Sequence, residues 1–146
     1  MKNLFLLAFI FSVAWSSFAQ CPSNELSKKL VGELTKGGKR KYLKTFKVDG
    51  AKYTEGNPIK YSYIFSKNKM YYMSVGDEPG TNDKIKVTLY DRAKHLIATN
   101  YDERTGKIYP VMVYRCKMTG VLYFHFEFVG DAKDGCGLGV LGFGPI

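Results

Sequence analysis

The seven residues Leu122-Tyr123-Phe124-His125-Phe126-Glu127-Phe128 put a large apolar side chain on every second position. That is the period of a β-strand with one face shut away from water, and it does not fit a helix. The strand sits inside a longer stretch, Tyr109 to Phe143, which reads YPVMVYRC, KMTG, VLYFHFEFV, GDAKDGC and GLGVLGF. Its flanking apolar runs are of strand length, and Gly, Asp or Thr-Gly bounds each of them. Three successive strands at the C-terminus predict the heart of a β-sandwich.

The rest of the chain extends the pattern. Ile59, Tyr61, Tyr63 and Phe65 alternate on one face of a second strand, and Ile85, Val87 and Leu89 point inward from a third, with Lys84, Lys86 and Thr88 outward. Tyr42 to Val48, MYYMSV after Lys67-Asn68-Lys69, and His95 to Thr99 supply further strands. Gly76 to Asp83 and Asn100 to Lys107 are expected to be polar links. The one helical segment is NELSKKLVGELTK, where Leu26, Leu30, Val31 and Leu34 make one apolar stripe. Ser23 or Asn24 can cap its start, Gly37-Gly38 ends it, and a helix this short needs the sandwich to lie on. About eight strands after one short N-terminal helix, with no alternation of strand and helix, exclude a parallel α/β sheet. They predict a mainly all-β antiparallel β-sandwich, jelly-roll-like.

The beginning of the chain is expected to stand outside that fold. Met1-Lys2-Asn3 is a short positive start, Leu4 to Trp15 is apolar, and Ser17-Phe18-Ala19 has the small-x-small form of a cleavage site. These features read as a signal peptide over residues 1–19, and the apolar run is too short for a retained span. Residues 20–40 then hold the helix and a basic linker, and residues 41–146 the sandwich. The mature protein is expected in the periplasm, on the outer surface or outside the cell, without a transmembrane span. Cleavage before an acylated Cys21 is the alternative, disfavoured by the large polar Gln20. Lys2 leaves with the leader, so the net charge falls from +9 to +8.

From Lys84 onward, "IKVTLYD…LIATNYD…TGKIYPVMVYRCKMTGVLYFHFEF…CGLGVLGF" resembles small secreted proteins of Gram-negative bacteria. Their C-terminal halves are similar to pre-peptidase C-terminal and GOLD-type β-sandwich modules. Cys116-Lys117-Met118-Thr119-Gly120-Val121-Leu122-Tyr123 matches their strand, Gly-containing turn and aromatic-led strand. The resemblance implies a sandwich, an extracytoplasmic location and a binding or accessory role rather than an activity.

Candidate chemistry is thin. Of the two histidines, His125 shares a face with Glu127, the one arrangement resembling a general base with a carboxylate. A solvent-side cross-strand pair is the plainer reading of it. No G-x-S-x-G, H-E-x-x-H, phosphate-loop or dinucleotide fingerprint occurs, so the chain reads as a non-enzyme without cofactors. Zinc would need Cys and His at close spacing, which Cys21, Cys116 and Cys136 lack. Asp77 and Asp83 in one loop and Asp131 and Asp134 in another are weak calcium candidates, read here as turn formers. In an oxidising compartment the three cysteines are disulfide candidates with the pairing open, although Cys116 and Cys136 fall at opposite ends of a strand. Lys36, Lys39, Arg40, Lys41, Lys44 and Lys47 concentrate positive charge. They suit an anionic polymer, lipid head groups or an acidic envelope protein, and export argues against nucleic acid. Tyr53, Tyr71 or Tyr72, and Tyr101 are candidates for a sugar platform if exposed, although places in the core or at the sandwich edge are the plainer reading; a glycan-binding module is therefore the alternative and a small hydrolase the last choice.

Overall fold

The computed structural model describes residues 24–78, 84–130 and 135–145. Its elements are α1 (Asn24–Thr35), β1 (Lys41–Asp49), β2 (Ile59–Phe65), β3 (Met70–Glu78), β4 (Ile85–Tyr90), β5 (Leu96–Thr99), β6 (Tyr101–Asp102), β7 (Lys107–Ile108), β8 (Val111–Arg115), β9 (Gly120–Phe128) and β10 (Cys136–Gly144). Eight strands form two four-stranded sheets in the orders β1-β10-β3-β8 and β2-β9-β4-β5, every pairing antiparallel. β6 and β7 form a separate small hairpin. This is the expected sandwich.

The alternation read from the sequence places the core. Phe65 from β2, Ile85, Val87 and Leu89 from β4, and Phe124, Phe126 and Phe128 from β9 are buried. They meet Phe46 and Val48 of β1, Tyr71, Met73 and Val75 of β3, and Leu141 of β10. The rings interlock: Phe46 lies 5.3 Å from Phe124 and 5.1 Å from Tyr61, and Phe65 lies 4.6 Å from Tyr71 in an edge-on contact. Burying one such side chain contributes about 2 kcal/mol or more by area alone.

β10 is apolar throughout because it is covered on both faces. Leu138 and Val140 face α1, where they pack with Leu26, Leu30 and Leu34. Gly137 and Gly139 face the other sheet. A Cβ on Gly139 would stand 2.8 Å from Cε1 of Phe126 and 2.9 Å from Sδ of Met73. The missing side chains let the second sheet's rings come up against the β10 backbone. α1 also packs against β3 and β1, so one outer face of the sandwich is roofed by the helix as its apolar stripe requires.

Several expectations need correction. The three C-terminal strands are divided between the sheets, a point the sequence reading left open: β8 pairs with β3, whereas β9 lies inside one sheet and β10 inside the other. The KMTG link therefore crosses between sheets instead of closing a hairpin. Gly76, Asp77 and Glu78 belong to β3 and not to a loop, and Asp77 is buried in the strand. Asp83, Asp131 and Asp134 lie outside the described residues, as do Cys21, Ser23 and residues 1–19, the expected signal peptide. Among the described residues no group of three or more His, Cys, Asp or Glu is placed to hold a metal. No described helix is long and apolar enough to cross a membrane. Thr88 points outward as expected yet is 1% exposed, with its hydroxyl 3.4 Å from that of Thr99 on β5.

The expected polar link 100–107 hides a structural residue and a hairpin. Asn100 is buried, and its side chain replaces strand pairing beside β4. Its Oδ1 accepts the Val87 amide at 2.8 Å, and its Nδ2 donates to the carbonyls of Ile85 at 3.0 Å and Tyr109 at 2.9 Å. The Tyr109 amide returns a bond to the Asn100 carbonyl, and the Val75 amide donates to the Pro110 carbonyl, so the Asn100 side chain ties β4 to the segment that leads into β8, and that segment's backbone bonds to β3.

Candidate functional site

The opposite flank, where β1 and β2 come together, carries the basic residues. Tyr61 of β2 donates its hydroxyl to the Lys47 carbonyl of β1 at 2.7 Å, joining the two sheet edges. A bulge between Tyr42 and Lys44 sets the direction of the lysines. Lys41 pairs with Phe143 and Lys44 with Leu141, partners two residues apart on one strand, so both lysines share a face despite their spacing of three. Both are exposed, and the Lys44 ammonium stands 5.4 Å from the Phe46 ring centre. Lys69, which the sequence reading passed over as a turn residue, places its ammonium 4.7 Å from the Phe143 ring and so joins the same cluster. Lys47 is exposed but pairs with Leu138, so it projects from the other face of β1, the one that carries α1, and Lys60 is exposed on β2.

Not all of the expected patch gathers there. Arg40 is half-buried, with its guanidinium 3.9 Å from the ring centre of Tyr72, a residue that also packs against the α1 contact. Lys36 and Lys39 are exposed in the link leaving the helix. Lys86 is paired with Glu127, and the Asp91 carboxylate with the His95 ring. None of the six patch cations has a carboxylate at ion-pair distance among the described residues. A row of lysines along an edge strand also keeps other chains from adding to the sheet.

Beside this flank lies the outer face of the β2-β9-β4-β5 sheet, which no described element covers. Its rows follow from the register. Lys60, His125, Thr88 and Thr99 make one row across the four strands, and Ser62, Tyr123 and Tyr90 make the next. The Tyr90 and His125 rings are 4.6 Å apart, tilted by 47°. Lys86 Nζ lies 3.5 Å from Glu127 Oε2 and 5.1 Å from the ring centre of Tyr101. Burial holds the His125 pKa below its ordinary value; Lys60 and Lys94 push the same way, and Glu127 opposes them. At one end of the face Ile64 is 67% exposed and pairs with Val121, and the two line an open depression with Ser62 and Tyr63.

Neither histidine forms a base with an attached nucleophile. His125 and Glu127 share the face as expected, but Glu127 is engaged by Lys86 and His125 stacks on Tyr90. His95 Nδ1 is 2.9 Å from Asp91 Oδ2, and Asp91 Oδ1 also accepts the His95 amide, so this pair locks the β4–β5 turn. Those bonds, the backbone one foremost, lower the Asp91 pKa.

The candidate sugar-platform tyrosines do not gather on one surface, in keeping with the core or edge placement favoured from the sequence. Tyr71 is in the core with its hydroxyl accepting the Ser66 amide at 2.8 Å, Tyr72 is on the helix side, and Tyr53 packs edge-on against Phe128 at 5.7 Å. Tyr101 alone borders the open face. Tyr90 and Tyr123 occupy it instead, and their alternation with Thr88 and His125 was the available signal. Cys116 is a buried free thiol whose Sγ donates to the Met118 carbonyl at 3.2 Å. Its amide donates to Lys69 at one end of β3, and Cys136 pairs with Glu78 at the other. The two are therefore about 30 Å apart along the strand, far beyond disulfide reach. No protein-family model matches this chain, and no curated protein matches it.

Proposed function

We propose that this is an exported, non-catalytic β-sandwich module that binds an anionic partner of the cell envelope through the flank where β1 and β2 meet. The observation that carries this reading is the set of exposed cations on this flank, Lys41 and Lys44 on one face of β1 with Lys69 beyond Phe143, and Lys60 on the neighbouring edge strand β2, that no described carboxylate neutralises. Unneutralised charge on one side steers an oppositely charged partner and makes its binding depend on salt. Engagement of both histidines in turn and stacking contacts supports a role without catalysis.

Retention on immobilised heparin tests this. The parent is expected to elute only as salt rises. Lys41→Glu with Lys44→Glu should elute markedly earlier, with a slope of log affinity against log salt about two units shallower or more. Lys28→Glu with Lys29→Glu, equal in charge change but on the exposed side of α1, should elute close to the parent apart from the change in net charge. Equal loss in both pairs would reduce the effect to net charge and contradict a localised site.

Export also implies an oxidised chain. With Cys116 reduced and enclosed, an intramolecular disulfide has Cys21 and Cys136 as its partners. Peptide mapping without reductant should recover that single cross-link, and a Cys116-containing bridge would contradict the assignment.

A further inference from the structure

We infer that the partner is an acidic oligosaccharide and that it lies across the uncovered face of the β2-β9-β4-β5 sheet, entering from the basic flank. This deepens the proposed binding function and rests on it. The sandwich is asymmetric: α1 roofs one sheet, while no described helix packs on the outer face of the other. Its four strands make a platform about 14 Å across, enough for a short oligosaccharide.

The residues on that platform match sugar chemistry. Tyr90, Tyr123 and His125 are half-buried, held from beneath and from the side, so part of each ring remains open to solvent. Aromatic faces take up the C–H faces of a pyranose, while the phenol and imidazole edges stay available for hydrogen bonds. Ser62 shares their face, and Glu127 accepts hydrogen bonds at its border. Cations stand beside the rings: Lys60 pairs with His125 across the strands, Lys60 and Lys94 both act on the imidazole, and Glu127, which acts against them, is itself held by Lys86. A carboxylate or sulfate on the sugar would sit between these cations.

Other anionic partners fit this face less well. A protein interface concentrates apolar side chains at its centre, whereas here the centre is His125 and the apolar pair Ile64 and Val121 lies at one end. A lipid head group needs the cations but makes no use of a row of rings. Lys60 stands on β2, the platform strand nearest β1, so a charged chain longer than the platform would reach the cations of the flank.

The test measures affinity for a heparin hexasaccharide, a neutral maltohexaose and phosphatidylserine vesicles. The parent is expected to bind the acidic sugar and not the neutral one. Tyr90→Ala and Tyr123→Ala should each weaken hexasaccharide binding about tenfold while leaving the salt slope unchanged. Tyr123→Phe should retain most of the affinity. Lys60→Ala should weaken binding and lower the salt slope by about one. In the unmodified protein, where no variant's folding is at issue, the hexasaccharide should shift the carbon-bound proton signals of the His125 ring.

Tyrosine variants that bind like the parent, with His125 signals unmoved, would overturn the platform. The flank reading would still stand if Lys41→Glu with Lys44→Glu abolished binding. Equal binding of maltohexaose would overturn the requirement for acid, and vesicle binding that ignores the tyrosines in place of sugar binding would assign the cations to lipid. A parent that binds no hexasaccharide and passes through heparin at low salt would remove the proposed function itself.

Discussion

Phe126→Ala will destabilise the domain by about 4 kcal/mol, measured as a lower urea midpoint with little change in slope. Phe126 is fully enclosed at the centre of β9, 6.1 Å from Phe124 and Tyr61 and 6.2 Å from Phe46 between ring centres. Removing the ring opens a cavity that its neighbours, fixed by the two sheets, cannot close. A loss of that size is a large part of the stability of an ordinary domain. The facing Gly139 makes the prediction more specific. Gly139→Ala alone places a methyl group against Phe126 and Met73 and should cost about 2 kcal/mol. Combined with Phe126→Ala, the added methyl enters vacated space, so the double variant should be more stable than the sum of the two losses implies. Strict additivity would show that β10 and β9 do not meet there.

Asn100→Ala should be the most damaging single change among the polar residues, at about 3 kcal/mol. It leaves the Val87 amide and the Ile85 and Tyr109 carbonyls without the side chain that now satisfies them. Unpaired buried backbone groups cost about 1–3 kcal/mol each, although local relaxation and water recover part of that sum. Hydrogen exchange gives the sharper readout: the Val87 amide should lose protection in the variant, and the Asn100→Asp form should not restore the two donated bonds. Retained protection at Val87 would contradict the assignment.

The elements themselves were legible because burial in this fold is mostly one-sided. β2, β4 and β9 each alternate in sequence, and each has one face in the core. α1 was legible from its leucine stripe for the same reason. What could not be read were facts fixed by register across long sequence separations. The pairing of β8 with β3 instead of β9 depends on sheet choice, which local periodicity does not encode. The bulge that turns Lys41 and Lys44 to one side, and the contact that brings Lys69 to Phe143, arise from backbone placement. Asn100 looked like a loop former because its partners are backbone groups that leave no mark in the sequence. Asp77 looked like a loop residue because Gly76 and Pro79 frame it, yet β3 continues through it to pair with β10. On the open face, Tyr123, His125, Tyr90 and Thr88 were already aligned by period two. Only the pairing of β9 with β4 showed that they form one surface.

The most direct test of the account is a residue-by-residue map of backbone amide shifts during titration of the unmodified protein with heparin hexasaccharide. The account predicts changes confined to β1, the outward positions of β2, β9 and β4, and the turn around Lys94. Changes centred on α1 and the roofed face of the other sheet, or no changes at all, would contradict it.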